Sequence, residues 1–134
     1  PVPALFLFLQ VMKKPASGYL SFIRQTMLGL PGVTEGICFG TAAFYVSKKL
    51  LARMKEDGVT LVVYTPDRDE WINRDKIVFF VTDHYKNYPL VLVDLFKVKE
   101  QDLVLILNEA WRSRAGKRLL QQGLKNGPTG SATH

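Results

Sequence analysis

Cysteine, histidine and long apolar runs are scarce in this sequence, and each scarcity excludes a class of protein. The single cysteine, Cys38, excludes an intrachain disulfide framework and every CxxC zinc or redox motif. A reducing compartment suits such a chain best, so we predict a cytoplasmic protein. The longest apolar stretch, residues 4–12, is interrupted by Gln10 and is far shorter than the roughly 20 residues that cross a bilayer. We therefore do not expect a membrane protein.

Motifs of catalysis and cofactor binding are missing as well. The sequence contains neither a GxxxxGK phosphate loop nor a dinucleotide glycine fingerprint. His84 has no second histidine at ligand spacing, and the acids of residues 67–75 lack the spacing and glycine of a calcium loop. Cys38 lies between Ile37 and Phe39, which is typical of a buried structural thiol and not of a nucleophile activated by His84. These absences predict no enzyme, no metal and no cofactor.

The length and composition are those of one folded domain. The chain has 134 residues, of which 47% are hydrophobic and 22% charged, and this suits a single hydrophobic core. We place the domain at residues 18–122, between a hydrophobic extension at 1–17 and a flexible tail at 123–134. The extension resembles a signal-peptide core in length, but it lacks a preceding basic residue and a cleavage site. Either Met12 is the natural start, or the segment packs as an extra strand or helix.

Hydrophobic periodicity predicts the order of helices and strands. Apolar residues spaced by three and four predict a first helix over 18–29, which Pro31 and Gly32 end. From Thr41 the period changes to two, which predicts strands. The later elements are a strand hairpin at 41–46 and 50–54, a strand at 59–64, a short helix at 67–73, strands at 77–82 and 90–96, and a long helix at about 100–120.

This order contains no βαβ alternation and predicts an α+β fold. The expected architecture is a two-layer sandwich, in which the N- and C-terminal helices pack side by side on one face of an antiparallel sheet. The other face is left to water or to a partner. In the long helix, an apolar stripe runs from Leu103 to Trp111, so we expect Trp111 to be largely buried.

Charge is distributed unevenly along the chain, whose formal net charge is +6. Residues 1–55 carry seven Lys/Arg and only Glu35, residues 56–110 carry six against eleven acids, and residues 111–134 carry five and no acid. If the two basic ends meet in the fold, they form one positive face that suits a polyanion through counterion release. The alternative is that the lysines are scattered and solvated, and that the last cations complement a helix C-terminus.

Basic residues interleaved with aromatics are the remaining candidates for a binding surface. They occur in the hairpin at 48–55, in the loop at 84–88 and near the end of the long helix at 112–118. Lysine and arginine reach phosphates, and exposed tyrosines stack on bases or sugars. The candidate DNA-binding residues are Lys48, Lys49, Arg53, Lys55, His84, Tyr85, Lys86, Arg112, Arg114, Lys117 and Arg118.

Four short strings, taken in order, resemble the MmcQ/YjbR family over about residues 18–118. The strings are LPGVTE at 30–35, FGTAAF at 39–44 with Lys49 after it, VTDHY at 81–85 with Pro89 and Val91 after it, and EAWR at 109–112. Ala42 stands where the family frequently has proline, and the hydrophobic start lies outside the pattern. The resemblance implies a CyaY-like α+β fold, shared with frataxin, and a DNA-binding role.

The sequence thus supports two hypotheses of different classes. The first is a non-enzymatic cytoplasmic domain that contacts mainly the phosphate backbone of DNA, with low sequence specificity. The alternative is a small-ligand or protein-interaction domain that uses the open sheet face and the His84 loop. A pocket that holds both His84 and Trp111 favours the ligand, whereas a continuous positive face built from both chain ends favours DNA.

Overall fold

The computed structural model describes residues 16–126. The question of whether Met12 is the natural start lies outside the described residues, as do residues 1–15 of the predicted extension and residues 127–134 of the predicted tail. Ala16 already belongs to the first helix, and Gly123 to the last one. The described helices thus begin two residues before and end four residues after the predicted domain of 18–122.

The helices and strands follow each other in the order expected for an α+β sandwich. The described residues form four helices and six strands. They are α1 (Ala16–Leu28), β1 (Val33–Cys38), β2 (Thr41–Val46), β3 (Lys49–Met54), β4 (Thr60–Tyr64), α2 (Arg68–Arg74), β5 (Phe79–Phe80), β6 (Leu90–Asp94), α3 (Glu100–Arg114) and α4 (Lys117–Asn126). The strands form one antiparallel sheet in the order β1-β2-β3-β4-β6-β5. Helices α1 and α3 contact each other, α1 packs on β1, and α3 packs on β3 and β4. This confirms the predicted two-layer sandwich.

The sheet has one face packed against the helices and one face without helices. A row of residues that pair across the strands, Phe44, Ala52, Val63 and Val91, belongs to the core under α1 and α3. The neighbouring row consists of Ala43, Arg53, Val62, Leu92 and Phe80, and because side chains alternate along a strand it faces the other way. We call this second side the open face.

Trp111 is buried between the helices, as its position in the apolar stripe of α3 predicts. It is 5% exposed, and its indole N–H donates a hydrogen bond of 2.8 Å to the carbonyl of Pro31. The indole therefore ties α3 to the turn between α1 and β1.

Within residues 16–126, every helix is too short or too polar to span a bilayer.

Strand β1 is absent from the predicted elements. It lies at the edge of the sheet, where Glu35 pairs with Arg24 of α1 through two hydrogen bonds of 2.7 and 2.8 Å. A charged residue followed by Gly36 breaks the apolar alternation by which a strand is recognised. At its end Cys38 is half-buried, so the expectation of a buried thiol is wrong.

Two further predictions about secondary structure need correction. The strand predicted at 77–82 is reduced to Phe79–Phe80, because the carboxylate of Asp75 accepts hydrogen bonds from the backbone of Ile77 and Val78 and holds them in a turn. The long helix is two helices, since Ala115 is extended and ends α3. Helix α4 then turns back, and Leu119 packs against Gly32.

The two hairpins at the β1 side of the sheet both have two-residue turns with positive φ angles. Phe39 and Gly40 join β1 to β2 with φ values of 53° and 81°, and Ser47 and Lys48 join β2 to β3 with φ values of 50° and 67°. This is the geometry of type I′ turns, which glycine and asparagine adopt most easily. Phe39, Ser47 and Lys48 are therefore strained, and two of them carry large exposed side chains.

Candidate nucleic-acid interface

Arg114 joins the end of α3 to the β2–β3 hairpin. Its guanidinium carbon lies 3.5 Å from the ring centroid of Tyr64, and its Nη1 donates a hydrogen bond of 3.1 Å to the carbonyl of Leu50. Leu50 follows the turn that carries Lys48 and Lys49. The contact therefore brings the basic end of α3 and the basic hairpin turn to the same end of the sheet.

Five cations at this end have free charges. All are exposed, and none forms an ion pair with another residue in the range 16–126. We call this group the basic end, and its members are Lys48, Lys49, Arg112, Lys117 and Arg118. Arg114 is half-buried and holds the group together, so it serves as a positioning residue and not as a free contact. The Arg114 contact is consistent with a positive surface shared by the hairpin and the end of α3, and for the individual cations this surface stays a prediction.

The burial of Arg53 is the largest difference between the predicted site and the structure. The alternation of β3 places Arg53 on the open face with Lys55, as expected, but it is 5% exposed and does not belong to an exposed cationic surface. Its guanidinium donates hydrogen bonds to Thr41 Oγ1 at 3.2 Å, to the Met54 carbonyl at 3.3 Å and to Tyr85 Oη at 2.9 Å. The open face is thus covered at its centre.

Tyr85 provides that cover. It is 9% exposed, and it packs with Val62 and Leu92 in a small second core on the open face. A tyrosine held in this way is not available to stack on a base, so its prediction as a DNA contact is also wrong. His84 is exposed and meets the Tyr85 ring edge-on, with 4.7 Å between ring centroids. Trp111 belongs to the core under the helices, on the other side of the sheet from Tyr85, so His84 and Trp111 do not face each other.

The remaining predicted contacts, Lys55 and Lys86, are separated from the basic end. Lys55 follows β3 at the opposite end of the strand from Lys49, and its Nζ lies 5.7 Å from the Tyr85 ring centroid. Lys86 is exposed in the loop that carries Tyr85. The predicted surface is therefore divided into the basic end and a second region around Tyr85.

Arg68 holds the loop that covers the open face, a role that the sequence pattern does not predict. Its Nη1 donates to the backbone carbonyls of Tyr85, Lys86 and Tyr88, at 3.4, 2.8 and 2.8 Å. Between α2 and this loop lies an open groove of about 370 Å³ with charges of both signs, among them Asp67, Asp69 and Lys86. The sequence does not reveal this contact, because the acceptors of the Arg68 guanidinium are main-chain carbonyls, which every residue has.

Several acidic side chains in the described residues hold parts of the fold together. Glu109 accepts a hydrogen bond of 3.0 Å from the Trp71 indole, and Asp102 pairs with Arg74 at 3.6 Å. Arg24 donates to Glu35 and thereby holds the pKa of that carboxyl below its ordinary value. Residues 16–126 contain no cluster of three or more His, Cys, Asp or Glu that could hold a metal ion.

Comparison with known proteins yields partial matches to three mycobacterial chains. The chain is 43% identical over 49 residues to uncharacterized proteins from Mycobacterium bovis and from two strains of Mycobacterium tuberculosis. The matched segment covers 37% of this chain and only 38% of each relative. No family model and no solved structure matches the chain. The likeness is therefore to part of these mycobacterial proteins.

Proposed function

We propose that this chain is a non-enzymatic, cytoplasmic DNA-binding domain of the MmcQ/YjbR type, and that the basic end contacts the phosphate backbone. The observation that carries the proposal is the Arg114 contact with Tyr64 and Leu50, because it brings the basic hairpin and the basic end of α3 to the same end of the sheet. Free cations on one surface release counterions from a polyanion when it binds. Contacts of this kind position the protein on a duplex and do not read its sequence.

The placement of Lys117 and Arg118 supports a functional role for their charges. Both occupy the first turn of α4, which contains no acid. The positive end of the helix dipole lies there, so two cations at this position lower the stability of the helix. The alternative from the sequence, that these cations complement a helix C-terminus, applies to Arg112 in the last turn of α3 but not to Lys117 and Arg118.

Lys48 is a second residue whose position opposes local stability. Its φ of 67° belongs to the left-handed region, where glycine or asparagine would cost less energy. Residues held in the left-handed region cluster at functional sites such as ligand-binding loops. Lys48 is exposed, and two residues after it the carbonyl of Leu50 accepts the hydrogen bond from Arg114 at the end of α3.

A salt series on random duplex DNA tests the proposal. Fluorescence anisotropy of a labelled duplex should show binding whose affinity falls steeply as salt rises, with a log–log slope of roughly −0.9 for each phosphate contact. The quadruple variant Lys48→Ser, Lys49→Ser, Lys117→Ser and Arg118→Ser should bind all sequences more weakly and with a flatter slope. Each lost phosphate contact should reduce the slope by roughly 0.9.

A matched control removes the same charge from elsewhere on the surface. The variant Lys76→Ser, Lys86→Ser, Lys97→Ser and Lys99→Ser has the same net charge as the first variant, but its lysines lie outside the basic end. It should retain most of the affinity. If both variants lose affinity equally, only the net charge matters and the basic end is not the interface. If the parent protein does not bind DNA even at low salt, the proposed function is wrong.

A further inference from the structure

Arg53 is a buried cation without a counter-charge. No carboxylate within residues 16–126 forms an ion pair with it, and its three hydrogen-bond acceptors are neutral oxygens of Thr41, Met54 and Tyr85. Removing a guanidinium from water without an opposite charge is costly, so buried cations in proteins are usually paired. The open face therefore holds an uncompensated positive charge at its centre.

Hydrogen-bond donors at this position remain unused. A guanidinium has five N–H groups, and Arg53 uses three of them within the described residues. Tyr85 Oη accepts its hydrogen bond from Arg53, so its own proton is available for another acceptor. These donors lie together, and an oxyanion accepts hydrogen bonds from a guanidinium and a hydroxyl in this arrangement.

Lys55 adds a second positive charge on the same side of the sheet. Its Nζ lies 5.7 Å from the ring centroid of Tyr85, whose hydroxyl bonds Arg53. Burial raises the pKa of the Asp57 carboxyl, but its hydrogen bonds from Thr60 and Val59 and the nearby charge of Lys55 lower it overall. Asp57 therefore offsets part of the Lys55 charge, whereas no carboxylate within residues 16–126 forms an ion pair with Arg53.

Phe39 covers the guanidinium of Arg53. The guanidinium carbon lies 5.1 Å from the ring centroid, yet the residue is 78% exposed, so its ring has few other contacts. It also stands on the strained turn between β1 and β2, with a φ of 53°. A side chain so weakly packed can rotate away from the guanidinium without disturbing the core.

We propose that Arg53, Lys55 and the Tyr85 hydroxyl form a binding site for a small oxyanion, a phosphate or carboxylate group, and that Phe39 is its movable cover. The bound anion supplies the counter-charge that the protein lacks. The site lies on the open face and uses no residue of the basic end. Anion binding at this site and DNA binding at the basic end can therefore be tested independently of each other.

A titration with inorganic phosphate tests this site directly. In ¹⁵N NMR spectra, the Nε–H resonance of Arg53 should shift and saturate as phosphate is added, whereas sodium chloride at matched ionic strength should not produce the shift. Titration with acetate in parallel distinguishes a preference for phosphate from one for carboxylate. Saturation by either anion supports the site, and a shift that follows ionic strength alone overturns it.

Three variants test the roles of the individual residues. In the variants the response is read from the backbone amide resonance of Met54, because Arg53→Gln has no guanidinium resonance. Arg53→Gln should abolish the saturable shift, and Tyr85→Phe should weaken it by roughly tenfold, as expected for the loss of a hydrogen bond to a charged group. Phe39→Ala should strengthen binding because the guanidinium is uncovered. If Arg53→Gln does not fold, the other two variants decide the matter. Added phosphate should raise the midpoint of thermal unfolding less for Tyr85→Phe than for the parent, and more for Phe39→Ala.

The matched control is the variant Lys48→Ser with Lys49→Ser, which changes two cations of the basic end. It should bind phosphate at Arg53 as the parent does while its DNA affinity falls. If it loses the phosphate response, the anion binds at the basic end and the Arg53 site is wrong. If Phe39→Ala leaves the affinity for phosphate unchanged, Phe39 is not a cover.

Discussion

Gly123 of α4 lies directly against the indole of Trp111. A β-carbon built on Gly123 would stand 2.5 Å from Cη2 of that ring and 3.2 Å from Cζ3, which is closer than real contacts allow. The absence of a side chain at Gly123 is thus what lets α4 pack on α3. Through this contact, the two cations in the first turn of α4 are held near the end of the sheet.

The first prediction is that Gly123→Ala destabilises the protein. In an open helix this change stabilises by up to about 1 kcal/mol, because alanine is the better helix former. Here the added methyl meets the buried ring, so the sign should reverse. Urea unfolding measures the free energy. Gly116→Ala is the control for the added methyl, because a β-carbon there meets nothing within 4 Å; since Gly116 is the residue before α4, only the modest cost of alanine at a helix N-cap is expected. A Gly123→Ala variant at least as stable as Gly116→Ala would show that α4 is not packed on Trp111.

The second prediction concerns the turn at Ser47 and Lys48. Replacing them with Asn and Gly, which adopt positive φ easily, should raise stability by about 1 kcal/mol. The same variant should bind DNA more weakly, since it removes one cation of the basic end. Thermal unfolding and anisotropy on one sample measure both effects. Higher stability with unchanged DNA affinity would mean that Lys48 makes no phosphate contact.

The third prediction follows from the ion pair of Arg24 and Glu35. Because the pKa of Glu35 is lowered by its hydrogen bond from Arg24, the pair stabilises the fold above the pKa of the unfolded carboxyl. That contribution is lost as the pH falls through the lower, folded pKa. The urea midpoint of the parent should therefore fall more between neutral and acidic pH than that of Glu35→Gln. Parallel pH profiles for the two proteins would mean that the pair is broken in solution.

How far the sequence predicts this structure depends on the kind of signal. Periodicity identifies α1, the strands β2 to β4 and β6, and the burial of Trp111, because each rests on local spacing. It misses β1, where Glu35 and Gly36 interrupt the alternation. It also misjudges Arg53 and Tyr85, since alternation assigns a residue to a face but cannot show that a loop 32 residues further along the chain covers that face.

The basic end shows the same division between local and distant signals. The charge distribution predicts that cations from both ends of the chain can share a surface. It does not show that one residue, Arg114, joins them, because its partners are the ring of Tyr64 and a main-chain carbonyl 64 residues earlier in the chain. Contacts of a planar cation with a ring and a carbonyl depend on the fold and have no spacing rule.

The fourth prediction separates the geometry of the basic end from its charge. Arg114→Lys keeps the charge but loses the planar stack on Tyr64, since an ammonium is a compact charge without a flat face. We expect a stability loss of about 1 kcal/mol and a DNA affinity lower by roughly fivefold, because the hairpin turn is no longer held against the end of α3. Arg112→Lys is the matched control: it is exposed and forms no ion pair with the described residues, and it should change neither quantity. Stability is measured by urea unfolding and affinity by anisotropy at one fixed salt concentration. If Arg114→Lys is destabilised but binds DNA as the parent does, the cations act independently of one another, and the alignment of hairpin and helix end has no part in binding.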